Sequence, residues 1–207
     1  MKQRTEQWME FRKGKFTGSE IWKLMVEPKL KSETLSETAK TYIYEKVVSE
    51  YSAVEPPEIK TPATEWGIEH EPLAKKWYTK KTGKSIIEVG AIELENFEQY
   101  AVGSPDGIIE YERIIEIKCP YNGTNHLRNI LVSDFKKELK EYYWQIQFYL
   151  ACLDLDTCDF ISFDPRIEAD WGFHIKQVQR NKEDIELMIT KIEQAIEYKH
   201  EIKNKLK

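Results

Sequence analysis

Between residues 85 and 118 the chain changes its hydrophobic period, and this change constrains the fold more than any other feature. Residues 85–94, 100–102, 107–111 and 114–118 are short, rich in Ile and Val, and separated by turn residues. That pattern predicts a mostly antiparallel strand set. Within Ile114-Ile115-Glu116-Ile117-Lys118, alternation puts Ile115 and Ile117 on one face and Glu116 and Lys118 on the other. Strands of this length cannot bury their apolar faces alone, so the rest of the chain must cover them.

The flanking segments have helical spacing. Trp8, Phe11 and Arg12 fit a short helix, and Thr17-Gly18-Ser19-Glu20 reads as the cap of the next, with Ile21, Trp22, Leu24 and Met25 behind it. Residues 38–51 and 64–82 are two further helices, the second bent at Pro72 and stopped by Gly83. After the strands, a long helix is expected over residues 135–153, then strands over 160–163 and 173–178. Asn181 caps a last amphipathic helix carrying Ile185, Ile189, Ile192 and Ile196. The order predicts an α/β fold of α+β character, a central mixed sheet flanked by helices. No Gly/Ser linker divides the chain. Residues 54–62, with Pro56, Pro57 and Pro62, read as a loop between elements, so residues 1–207 are expected to form a single domain.

Composition excludes several classes. At 41% hydrophobic and 32% charged, the chain is too apolar to be disordered. No apolar run reaches the length of a membrane span, and the first ten residues lack the apolar core of a secretory signal. Three cysteines, Cys119, Cys152 and Cys158, form no CxxC. That argues for a reducing compartment, and against a zinc ribbon or an iron–sulfur cluster with four ligands from one chain. The net charge of −5 is uneven. Residues 1–31 carry +4 and residues 88–116 carry −7, an acidic centre beside a basic flank. Such a distribution suits a site that collects cations and holds a polyanion nearby.

The chemistry-bearing stretch is Gly103-Ser104-Pro105-Asp106-Gly107 followed by Glu116-Ile117-Lys118-Cys119-Pro120. Asp106 enters a strand from a turn, and Glu116 and Lys118 project from one face of its neighbour. Two converging carboxylates, with the Ile117 carbonyl, make a hard oxygen site suited to Mg²⁺. A lysine two residues on can hold a water or hydroxide there. An acid-x-lysine triplet alone arises about four times by chance in a chain of this composition. Its weight comes from the strand placement and from Ser-Pro-Asp-Gly at hairpin distance upstream. A buried ion pair is the bland alternative.

With these residues in view, the sequence resembles the lambda exonuclease and YqaJ-type viral recombinase nucleases, a branch of the PD-(D/E)xK superfamily. The resemblance rests on Trp8-x3-Arg12-x4-Thr17-Gly18-Ser19-Glu20, Trp66-Gly67-x3-Glu71, the two core motifs, Gln145-Ile146-Gln147 and Asp164-Pro165-Arg166, all in order. It implies a PD-(D/E)xK core and catalytic roles for Glu71, Asp106, Glu116, Lys118 and Gln145. Asp106, Glu116 and the Ile117 carbonyl would hold one metal, and Glu71 would complete a second position. Two Mg²⁺ ions are implied, with Mn²⁺ as substitute. Lys118 would orient the attacking water, and Gln145 the water or the lysine. Arg12, Ser19 and Ser104 match positions that hold a 5′-terminal phosphate. Trp66 is expected in core packing. Asp164-Pro165-Arg166 has no chemical role assigned.

The sequence departs from the family at two places. Asn122-Gly123-Thr124 stands where a basic residue is expected, leaving His126 and Arg128 as nearby substitutes. Thr64 and Glu65 stand where an apolar wedge precedes Trp66. The resemblance implies a Mg²⁺-dependent 5′→3′ exonuclease on double-stranded DNA ends that leaves a 3′ single strand for recombination. It also implies a homotrimeric ring, a single-strand annealing recombinase as partner, no membrane, and the cytoplasm of a bacterial host as the place of action of a phage or prophage protein. The rivals are an endonuclease or structure-specific nuclease on the same fold, and a non-catalytic DNA-binding module.

Overall fold

The structure, a computed structural model, describes residues 3–54 and 61–207. Lys2 and most of the expected 54–62 loop, including Pro56 and Pro57, lie outside the described residues. The element order is α1 (Glu6–Arg12), β1 (Phe16–Thr17), a 3₁₀ helix (Gly18–Met25), α2 (Glu37–Tyr51), α3 (Pro62–Thr82), β2 (Ile86–Ile87), β3 (Ile92–Glu93), β4 (Ala101–Gly103), β5 (Gly107–Ile109) and β6 (Arg113–Lys118). It continues with α4 (Gly123–Leu131), α5 (Phe135–Glu138), α6 (Lys140–Leu153), β7 (Thr157–Phe163), β8 (Phe173–Gln179) and α7 (Lys182–Lys205).

The strands form a mixed five-stranded sheet in the order β2-β5-β6-β7-β8 and a small sheet in the order β1-β4-β3. The β6–β7 pair is parallel, placing Glu116 beside Phe160 and Lys118 beside Ser162, and the other pairs of the large sheet are antiparallel. Each face of the large sheet is covered. On one side, Ala74 and Tyr78 of α3 pack with Ile109, Ile115, Ile117 and Ile161. On the other, Ile114 and Phe160 pack with Ile146, Phe148 and Leu150 of α6, beneath residues of the 3₁₀ helix, α2 and α7. The alternation expected for residues 114–118 is present, and the side bearing Glu116 is covered by α6 rather than open.

The helix ends follow local chemistry. Thr61 and Thr64 form a capping box at the start of α3, and Gly83 closes it at φ 73°, where a Cβ would be strained. Asn181 accepts from the Asp184 N–H to cap α7.

Two expectations are corrected, and one segment left unassigned gains an element. Residues 85–94 are two short strands, β2 and β3, which pair in different sheets. Residues 135–153 are α5 and α6, broken at Leu139, whose φ −124° and ψ 49° leave the helical region. The segment after Asn122 is helix α4, with the Asn122 side chain capping the Thr124 N–H. Among the described residues no helix is long and apolar enough to cross a membrane, and the three cysteines are unbridged.

Candidate active site

A cleft of about 360 Å³ opens where α1, α3, the β4–β5 turn, the end of β6 and α6 meet. Glu116 and Lys118 leave β6 on the side covered by α6. Glu116 is 2% exposed. One of its oxygens, Oε1, lies 2.7 Å from Lys118 Nζ, while Oε2 is buried with no hydrogen-bond partner among the described residues. Lys118 Nζ also donates to Gln145 Oε1 at 3.2 Å, and Gln145 Nε2 donates to the Tyr149 hydroxyl at 3.0 Å. Tyr149 in turn packs against Gly18 and Gly103, where a Cβ would lie within 2.3 and 2.7 Å of its ring. The two glycines therefore let α6 approach closely enough for Gln145 to reach the lysine.

Asp106 is supplied by the turn after β4. Its Oδ2 accepts the Ile117 N–H at 2.7 Å, which ties the turn to β6. Burial, then Glu116 and Glu71, push the Asp106 carboxyl well above the usual carboxylate range. Burial also raises Glu116, against the pull of Lys118. Burial alone would lower Lys118, but Glu116 and Asp106 make it hold its proton more tightly than usual.

This donor set fits a hard divalent cation. Glu116 is buried and Asp106 half-buried at its side, Glu116 raises the proton affinity of Asp106, and one Glu116 oxygen has no donor among the described residues. As the side chains stand, no group of three or more His, Cys, Asp or Glu is arranged around a metal position among the described residues. Glu71 lines the same cleft, yet it pairs with Arg4 at 3.1 Å and Lys75 at 3.0 Å.

The other end of the cleft is a cationic, hydroxyl-bearing cradle. Trp8 Nε1 donates to Ser104 Oγ at 2.8 Å, Arg12 Nη1 reaches the same oxygen at 3.4 Å, and the Arg12 guanidinium lies 4.1 Å over the Trp8 ring. Burial lowers the Arg12 pKa, though a guanidinium stays charged. Ser19 is exposed on the rim. The structure thus brings Arg12, Ser19, Glu71, Ser104, Asp106, Glu116, Ile117, Lys118 and Gln145 to one cleft.

Neither basic substitute joins them. His126 is fully buried, with its ring nitrogens 2.8 Å from Ser162 Oγ and 2.9 Å from the Trp171 carbonyl. Arg128 donates to the Glu138 carbonyl. Gln147, the second glutamine of its motif, faces α7 instead, where it accepts the Asn181 N–H and donates to the Gln179 carbonyl. Sequence reasoning missed Gln3 and Arg4, which line the cleft. Gln3 donates to the Pro105 carbonyl at 2.9 Å. The surplus of basic residues near the N-terminus was the available signal.

A family model described as the YqaJ-like viral recombinase domain matches residues 7–156. The fold is similar to the crystal structure of an alkaline exonuclease, LHK-Exo, from Laribacter hongkongensis, with a TM-score of 0.85 and 27% identity over 98% of this chain and 96% of that one. The same enzyme in complex with dAMP gives a TM-score of 0.85 at 28% identity over the same shares. A phage related exonuclease from Haemophilus somnus 129PT shares the fold at a TM-score of 0.75 and 22% identity, over 93% and 96% of the two chains. None of the curated proteins compared matches the sequence.

Proposed function

The chain belongs to the YqaJ-like viral recombinase family, and on that premise we propose that it is a divalent-cation-dependent exonuclease that degrades the 5′-ended strand of linear duplex DNA. The observation that carries this reading is one cleft with the Asp106–Glu116 carboxylate pair and a lysine at one end and an arginine–hydroxyl cradle at the other. Hydrolysis of a phosphodiester needs both: a place where a cation meets the scissile phosphate, and an anchor that sets which bond lies there.

Asp106, Glu116 and the Ile117 carbonyl would hold the first cation, and Glu71, exchanging its pairing with Arg4, a second. Bound Mg²⁺ or Mn²⁺ would polarise the phosphate and lower the pKa of a water. Lys118 donates hydrogen bonds beside Glu116, where the attacking oxygen and the developing phosphate charge need them. Gln145 fixes the lysine with an uncharged acceptor, so no further negative charge is added. Arg12 and Ser104, with Ser19 on the rim, would take the terminal 5′-phosphate as fork and hydroxyl donors.

LHK-Exo is described in complex with dAMP, and a nucleoside monophosphate is the product that stepwise hydrolysis from an end releases. In this reading residues 1–207 act as one nuclease unit in the cytoplasm of a bacterial host, as a phage or prophage protein. The family resemblance supports a homotrimeric ring around DNA and a single-strand annealing recombinase that receives the exposed 3′ strand. Digestion of linear and covalently closed circular duplexes in Mg²⁺ tests the reading. Release from linear DNA alone is expected. Cutting of both substrates would make the protein an endonuclease, and cutting of neither a binding module.

A further inference from the structure

The Asp164-Pro165-Arg166 motif lies outside the cleft, and its side chains bridge the two walls that form it. Asp164 follows the end of β7 and is almost fully buried. It grips Arg166 through two parallel bonds, Nε to Oδ1 at 2.8 Å and Nη2 to Oδ2 at 2.7 Å. So held, Arg166 Nη2 also donates to the Tyr121 carbonyl at 2.9 Å, just beyond the end of β6. Its guanidinium lies 4.4 Å over the ring of Trp66 on α3. Trp66 meets Tyr121 edge-on and stacks on His70, the residue before Glu71.

One side chain therefore touches the segment that follows Lys118 and the helical turn that precedes Glu71. A bidentate ion pair is rigid in a way a single contact is not, because two bonds fix the plane of the guanidinium. That plane supplies both the edge that meets the Tyr121 carbonyl and the face that meets Trp66. We propose that Arg166, locked by Asp164, is a positioning residue that fixes the α3 wall against the end of β6 and so sets the spacing between Glu71 and the Glu116–Lys118 pair. The proposal rests on the nuclease reading and adds to it the residue that aligns acids from two different elements.

The test compares wild type, Arg166→Ala and Arg166→Lys by Mg²⁺ calorimetry of the protein alone, by circular dichroism, and by steady-state digestion of linear duplex. Outer residues that orient metal ligands typically change affinity or activity by tenfold or more, so Arg166→Ala should lower kcat and Mg²⁺ affinity by about tenfold each. The KM for DNA ends should stay close to the wild-type value. Arg166→Lys keeps the charge but not the fork, and should fall between the two. A loss of thermal stability alone, with kcat and Mg²⁺ affinity intact, overturns the proposal. So does a raised KM with kcat and Mg²⁺ affinity unchanged, which marks a DNA contact. Should Arg166→Ala not fold, Arg166→Lys decides, and wild-type values in it overturn the proposal. A wild type that binds Mg²⁺ but cleaves nothing contradicts the nuclease reading, while the calorimetry still decides on Arg166. A wild type that binds no Mg²⁺ contradicts both.

Discussion

Lys118 Nζ sits 2.7 Å from one oxygen of Glu116, and the other oxygen of that carboxylate is buried without a donor among the described residues. The protein thus compensates one side of the acid through Lys118, while the other oxygen has no donor among the described residues. An unsatisfied buried acceptor costs free energy of order 1–3 kcal/mol, and more when charged, so the proposed cation would offset a standing cost there.

Asp106→Asn is predicted to abolish cleavage while leaving the fold intact. In excess chelator the variant should match or exceed the wild-type Tm, since a like charge has been removed from the cluster. In Mg²⁺ the wild type should gain stability by linkage and the variant should not. Thermal melts with and without Mg²⁺ check both arms.

Lys118→Ala should lower kcat by roughly two orders of magnitude with little change in DNA affinity, because its hydrogen bonds matter most once charge develops. Single-turnover kinetics and equilibrium binding in Ca²⁺ separate the two effects. A loss confined to affinity would make Lys118 a phosphate contact.

Arg12→Ala should erase most of the preference for 5′-phosphorylated over 5′-hydroxyl duplexes. Arg12→Lys should restore only part of it, because a point charge lacks the fork. The preference itself should be modest, since neither His126 nor Arg128 reaches the cleft. Competition digests of the two duplexes measure it.

Much of this site was legible because its signals are local. Strand alternation places Glu116 and Lys118 on one face whatever the tertiary context, and Asp106 sits in a turn marked by Pro105 and Gly107. The Thr61/Thr64 cap was missed by two residues, an ordinary boundary error. Other features depend on partners distant in sequence. The break at Leu139 carries no Gly or Pro, so a strong helix former conceals it. Val89-Gly90 divides an apolar run between two sheets, and only the pairing of β3 with β4 reveals the division. His126 looks like a free basic residue until Ser162 and Trp171 enclose it. Arg166 acquires its role only when β7, β6 and α3 meet.

Gly103→Ala is predicted to destabilise the protein by about 1–3 kcal/mol through overpacking. The new methyl would press on Tyr149, 2.7 Å away, and shift the Gln145 it bonds. A fall in kcat should accompany the fall in stability. Tyr149→Phe in the Gly103→Ala background should relieve none of the clash, since the ring rather than the hydroxyl is struck.

The acid limb of stability should depend on Glu20. Burial alone would raise its carboxyl, but Lys46 and Lys23, at 3.0 and 2.7 Å, hold it down to about 2. The folded-state value lies below the unfolded one, so this contribution is fully present above the ordinary value of 4.5 and is lost as the pH falls towards 2. Glu20→Gln should lower the Tm modestly at neutral pH and flatten its dependence between those limits. A slope unchanged from wild type would show that the ion pairs contribute nothing there.

The central claim is that the Asp106–Glu116 cleft hydrolyses DNA from a 5′ end with a divalent cation. A linear duplex labelled separately at its 5′ and 3′ termini, digested in Mg²⁺ and in excess chelator, tests it most directly. The account predicts early release of the 5′ label as a mononucleotide, late release of the 3′ label, and no release in chelator. Early release of the 3′ label, or undiminished digestion in chelator, would contradict it.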